Sequence, residues 1–98
     1  MNLTWSPLAI ERISEIAEYI AQDNPRAAEK WVEKIFDLVE RLHQFPESGR
    51  VVPEINNTSF REIISGNYRI IYKYNNSGVA IITVRHGRQM LPTEEITL

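Results

Sequence analysis

Residues 60–74, FREIISGNYRIIYKY, and residues 79–89, VAIITVRHGRQ, decide how this chain folds. Gly66-Asn67 lies between two runs of β-branched and aromatic residues, the pattern of two strands joined by a two-residue turn. Residues 60–65 form the first of these strands and residues 68–74 the second. Asn75-Asn76-Ser77-Gly78 supplies another turn. Residues 79–86 make a third strand, which Gly87 ends. The three strands read as an antiparallel meander. Tyr68, Tyr72 and Tyr74 alternate along one strand, so they share a face and are expected to pack there.

Upstream, residues 2–5 alternate polar and apolar, as a short strand does. Ser6-Pro7 then gives a helix start: a capping hydroxyl followed by a residue without the N–H that would be orphaned there. Ile10, Ile13, Ile16, Ala17 and Ile20 recur at three- and four-residue steps, with Glu11, Arg12, Glu15 and Glu18 between them. That is one apolar stripe and one solvated face. Asp23-Asn24-Pro25 repeats the start signal. A second helix runs over residues 25–43 with its stripe at Ala28, Trp31, Val32, Ile35, Leu38, Val39 and Leu42. The short link predicts an antiparallel helical hairpin. Residues 46–59 show no period and read as a loop from helices to sheet. Trp5, Trp31, Phe36 and Phe45 are assigned to the core or its margin. The order β-α-α-β-β-β predicts an α+β fold in two layers, a helical hairpin packed on an antiparallel sheet.

The chain has 98 residues, 43% hydrophobic and 24% charged, which fits one globular domain spanning residues 1–98. It has no cysteine, which excludes disulfides, thiolate metal sites and a cysteine nucleophile. The two histidines, His43 and His86, lie far apart in sequence, so no metal and no cofactor is expected. The opening MNLTWSPLAIERIS lacks the pattern of a signal peptide, and no apolar run approaches a membrane span. The expectation is a soluble cytoplasmic protein without membrane contact. Net charge is −2, but its distribution is uneven. Residues 1–59 hold six basic and ten acidic side chains, whereas residues 60–93 hold Arg61, Arg69, Lys73, Arg85 and Arg88 against Glu62 alone. The C-terminal third is thus expected to present a cationic surface to phosphates or to an acidic protein. No GxxxxGK[ST], GxGxxG, HExxH or GxSxG motif is present.

With these elements in this order, the stretch FREIISGNYRIIYKY followed by VAIITVRHGRQ resembles the C-terminal part of toxins of the RelE/ParE superfamily. The most specific pieces are Tyr68-Arg69-Ile70-Ile71-Tyr72 and His86-Gly87-Arg88. The resemblance extends over nearly the whole chain, including the Asp23-Asn24-Pro25 break between helices. It implies the toxin of a type II toxin–antitoxin pair, held by a cognate antitoxin in a hetero-oligomer. RelE-like members cut mRNA on the ribosome without a metal; ParE-like members inhibit DNA gyrase.

RNA cleavage requires a base for the 2′-hydroxyl, charge stabilisation at the phosphate and an acid for the leaving oxygen. By resemblance, Arg69 matches the motif arginine of the RNA-cleaving branch and Arg88 the arginine after the last strand. His86 is the remaining candidate acid or base, with Glu62 as an alternative base. These catalytic assignments of Arg69, His86 and Arg88 apply only if the protein is a nuclease. The branch's strand lysines are replaced by Phe60 and Glu62, and residues 89–98 contain no tyrosine. Phe60-Arg61-Glu62-Ile63 and the His86-Gly87-Arg88 ending are more similar to the ParE-like branch. The leading expectation is therefore a ParE-like gyrase inhibitor. An mRNA endonuclease, and a non-toxic antitoxin-binding module, are the alternatives. Arg85 and His86 are adjacent on a strand and point to opposite faces; Arg61 and Lys73 are read as solvated positions.

Overall fold

The computed structural model describes residues 2–87 and Glu95. Strand β1 (Asn2–Trp5) leads into helices α1 (Pro7–Asp23) and α2 (Pro25–Glu40). A single 3-10 turn, Arg41–His43, continues α2. Strands β2 (Arg50–Val51), β3 (Phe60–Ser65), β4 (Tyr68–Asn75) and β5 (Gly78–His86) follow. The sheet order is β1-β5-β4-β3-β2.

The expected meander β3-β4-β5 is present and antiparallel. Two features depart from the expected sheet. β1 pairs parallel to β5, from Asn2↔Gly78 to Trp5↔Ile81, so the sheet is mixed rather than antiparallel. A parallel pair needs a long crossover, and the helical hairpin with the rest of the meander supplies it. The segment expected as a plain loop also holds β2, which pairs with β3 at Arg50↔Glu62 and Val51↔Arg61. A two-residue strand is too short to show a period.

Local chemistry sets the helix boundaries. Ser6 caps α1: its hydroxyl accepts from the Ala9 N–H at 3.0 Å. Asn24 closes one helix and opens the next. Its N–H donates to the Ile20 carbonyl at 3.0 Å, and its side chain accepts from the Ala27 N–H at 3.1 Å. Pro25 then occupies the first turn of α2.

The main core lies between the hairpin and the sheet. Ala9 and Ile13 of α1, Ile35 and Val39 of α2, and Ile70, Tyr72, Val79, Ile81 and Val84 of the sheet are buried together. All three strand tyrosines face this side, Tyr72 fully buried and Tyr68 and Tyr74 packed against it. Ile10, expected on the α1 stripe, lies at its margin and is exposed. Trp31 packs edge-on to Tyr68 at 5.2 Å, and Trp5 meets Phe36 at 4.9 Å. Phe45, expected near the core, is 60% exposed.

A second, smaller cluster covers the opposite face of the sheet: Val52, Phe60, Ile71 and Ile82, with Ile55 against it. The chain after β2 turns back over this face. The Val52 N–H donates to the Phe60 carbonyl at 3.1 Å and the Asn56 N–H to the Val52 carbonyl at 2.9 Å. Ile82 reaches this cluster because β5 carries a bulge: Ile71 pairs with Thr83 and Tyr72 with Ile81, leaving Ile82 between them. The Ser6 hydroxyl donates to the Ile82 carbonyl at 2.6 Å, so the cap of α1 also pins the bulge.

Candidate functional site

The two sheet faces divide the residues singled out by the sequence. Arg69 lies on the face away from the helices and is only 5% exposed. Its Nε donates to Glu62 Oε1 at 2.7 Å, and its two terminal nitrogens donate to the two oxygens of Glu54, both at 2.8 Å. Glu62, 1% exposed, also accepts from Arg50 Nε at 2.5 Å. A buried carboxylate persists only with close, hydrogen-bonded counter-charges, and here two arginines supply them. Glu54 lies beyond β2 in the turn over this face, so Arg69 ties that turn to the sheet. The Arg69 guanidinium is held above its usual range. The bidentate Glu54 contact is the main cause, burial opposes it, and Glu62 adds to it. Like any arginine, Arg69 stays charged at ordinary pH.

The hairpin register places Glu62 diagonally across from Arg69, since Glu62 pairs with Ile71 and Ile64 with Arg69. That proximity was legible from the two-residue turn at Gly66-Asn67, together with an acidic residue in phase with Phe60 and Ile64. Glu54 and Arg50 lie in an aperiodic segment and gave no sequence signal.

His86 lies on the other face. Its ring stands edge-on to Tyr68 at 5.5 Å. The structure therefore does not bring Arg69 and His86 together. Arg88, and the remainder of residues 89–98 apart from Glu95, lie outside the described residues. Arg61, read as solvated, instead spans backbone carbonyls of Thr58 at 3.1 Å, Glu47 at 3.3 Å and Gly49 at 3.1 Å. Lys73 is half-buried, with its ammonium 5.5 Å from the centre of the Phe60 ring.

A second cluster joins the helices to the end of β5. The Glu95 carboxylate accepts from Arg12 Nε at 3.3 Å, Thr83 Oγ1 at 2.9 Å and an Arg85 terminal nitrogen at 2.7 Å. Arg12 also meets Glu15 at 3.1 Å. Burial lowers the Arg12 pKa, but its contacts with Glu95 and Glu15 outweigh it and leave the group raised. Within the third expected to be cationic, Arg69 and Arg85 are thus paired with carboxylates, whereas Arg61 meets backbone carbonyls and Lys73 an aromatic ring. Arg69 and Arg85 sit directly opposite each other across β4 and β5, an unfavourable pairing that separate carboxylates offset.

The sequence profile of the ParE toxin of the type II toxin–antitoxin system parDE matches residues 3–91.

This chain belongs to the ParE toxin family.

A Sinorhizobium fredii protein named as a toxin candidate, Y4kP, is similar to it, at 36% identity over 92 residues covering 93% of each chain. Toxin RelE2 of Caulobacter vibrioides is 26% identical over 90 residues, covering 91% of this chain and 98% of that one. A chain of the chromosomal ParDE system from P. aeruginosa shares the fold, with a TM-score of 0.72 at 20% identity, over 88% of this chain and 95% of that one. As a ParE-family toxin of type II, the protein has a cognate antitoxin as partner. No helix among the described residues is long and apolar enough to cross a membrane.

Proposed function

We propose that this ParE-family toxin arrests growth by binding and inhibiting DNA gyrase, without chemistry of its own, in the cytoplasm, until its antitoxin sequesters it. The observation that carries this reading is the engagement of Arg69. The motif arginine that would stabilise a scissile phosphate is buried and spends its donors on Glu54 and Glu62. His86 is on the other side of the sheet, so a shared acid–base centre with Arg69 has no support. Phe60 and Glu62, at the positions where the RNA-cleaving branch carries lysines, are both buried. An inhibitor that works by binding needs none of these groups free.

The test is supercoiling by purified gyrase in the presence of the purified toxin. Inhibition at stoichiometric toxin, reversed by the antitoxin, is expected. Unaffected supercoiling at a large excess would reject the reading. Primer extension on ribosome-bound mRNA after induction runs in parallel. Codon-dependent cuts there would move the protein to the RNA-cleaving branch.

A further inference from the structure

The Glu95 carboxylate occupies a site more elaborate than a surface ion pair. Three donors from two separate elements converge on it: Arg12 from α1, and Thr83 and Arg85 from β5. Thr83 is fully buried, and the Glu95 side chain is 9% exposed. Two of the donors crowd one carboxylate oxygen, while among the described residues the other oxygen receives Arg85 alone. Arg85 Nε is buried and finds no acceptor among the described residues. An arginine fork normally engages a carboxylate through two parallel N–H bonds. Glu95 therefore fills the site without using all it offers.

The surroundings add a second recognition element. A cleft of about 420 Å³ adjoins the site, walled by Ile16, Tyr19, Tyr68 and Val84 beside Arg12 and Arg85. Tyr19 is 71% exposed, a large ring left facing solvent at the cleft. The two arginines together face Glu15 and Glu95, so the site matches a monoanion better than a phosphate dianion, which Glu15 would repel.

We propose that Arg12, Thr83 and Arg85 form a carboxylate-binding site for an acidic segment of a protein partner, its Asp or Glu followed or preceded by an apolar side chain that enters the Tyr19–Tyr68 cleft, and that Glu95 is its intramolecular occupant. A partner carboxylate enters by displacing Glu95. The tethered carboxylate lowers the apparent affinity for any competitor in proportion to the time the site is filled.

The experiment uses the full chain with Glu95→Ala, and as probe the synthetic peptide LPTEEITL, the chain's own residues 91–98. Binding is read from the amide NMR shifts of Arg12, Thr83 and Arg85. The Glu95→Ala chain is expected to bind the peptide about tenfold more tightly than the wild type, whose site is already occupied. A peptide with glutamine at the position of Glu95 is expected not to bind. Adding Arg85→Lys to Glu95→Ala keeps the charge but removes the fork, and should abolish most of the binding. The lysine is chosen so that the chain stays folded, which its melting curve checks. Equal binding by wild type and Glu95→Ala, no binding by either, or binding indifferent to Arg85→Lys would each overturn the proposal and leave Glu95 as a structural anchor. Tighter binding of inorganic phosphate than of the peptide would overturn the carboxylate assignment.

Discussion

At the scale of single residues, burial decides what each charge does. Arg69 and Lys73 share one strand and one face, yet their environments differ. Removing Arg69 leaves the buried Glu62 with Arg50 as its counter-charge among the described residues and takes away the fork that holds Glu54. Breaking such a pair costs about 3–5 kcal/mol. Lys73 contributes mainly a cation–π contact with Phe60, worth about 0.5–1 kcal/mol. Arg69→Ala should therefore shift the urea midpoint far more than Lys73→Ala, and lose toxicity with it. Equal midpoints would show that the network contributes little. Tyr72 offers a pH-dependent case. Its hydroxyl donates to the Pro46 carbonyl at 2.7 Å and accepts from the Gly49 N–H at 3.0 Å. Tyr72→Phe leaves both groups without this partner, a loss of about 1–3 kcal/mol at neutral pH. Burial is the main cause that raises the phenol above 10.0, opposed by the Gly49 N–H and the Arg61 charge. A pKa raised by folding gives stability that is complete below the unfolded value and lost as pH climbs through the folded one. Urea titrations at pH 8 to 11 should show the wild type losing its advantage over Tyr72→Phe above about pH 10. A constant gap across that range would contradict the buried neutral phenol.

At the scale of elements, junction residues do two jobs at once. Ser6 ends β1, caps α1 and holds the bulge of β5 through the Ile82 carbonyl. The bulge in turn lets Ile81 and Val84 face the helices while Ile82 faces the second cluster. Ser6→Ala removes a cap and leaves a carbonyl of β5 without its hydroxyl partner, at a cost of about 1–3 kcal/mol. That corresponds to a fall in melting temperature of about 4–8 °C per kcal/mol for a domain of this size. Amide exchange at Ala9 should quicken with it; an unchanged rate would mean that the cap is dispensable. Gly49 is another junction. A Cβ there would lie 2.6 Å from both the Glu62 carbonyl oxygen and the Tyr72 hydroxyl, so the exit from the helices can approach the sheet only without a side chain. The Pro46-to-Gly49 segment looked aperiodic because its spacing is set by Tyr72 rather than by a helix or strand repeat.

At the scale of the whole molecule, what was legible in the chain is what local chemistry controls. Ser6-Pro7 and Asn24-Pro25 mark the helix starts because capping and the fixed proline backbone act within one turn. Gly66-Asn67 sets the β3-β4 register because a two-residue turn leaves no choice of partner. The β-α-α-β-β-β order and the resemblance carried by residues 60–89 follow from such signals, and the family comparison agrees with them. Tertiary structure alone decided where β1 pairs, because a parallel partner lies more than seventy residues away and no local rule selects it. It also decided the fate of the charges. Counted along the chain, residues 60–93 are strongly basic. In space, Glu54 folds back onto Arg69 and Glu95 onto Arg85, so two of those cations are matched inside the protein. Coulomb energies depend on distances through the folded molecule, and burial strengthens them. Neither quantity is written in the order of the residues.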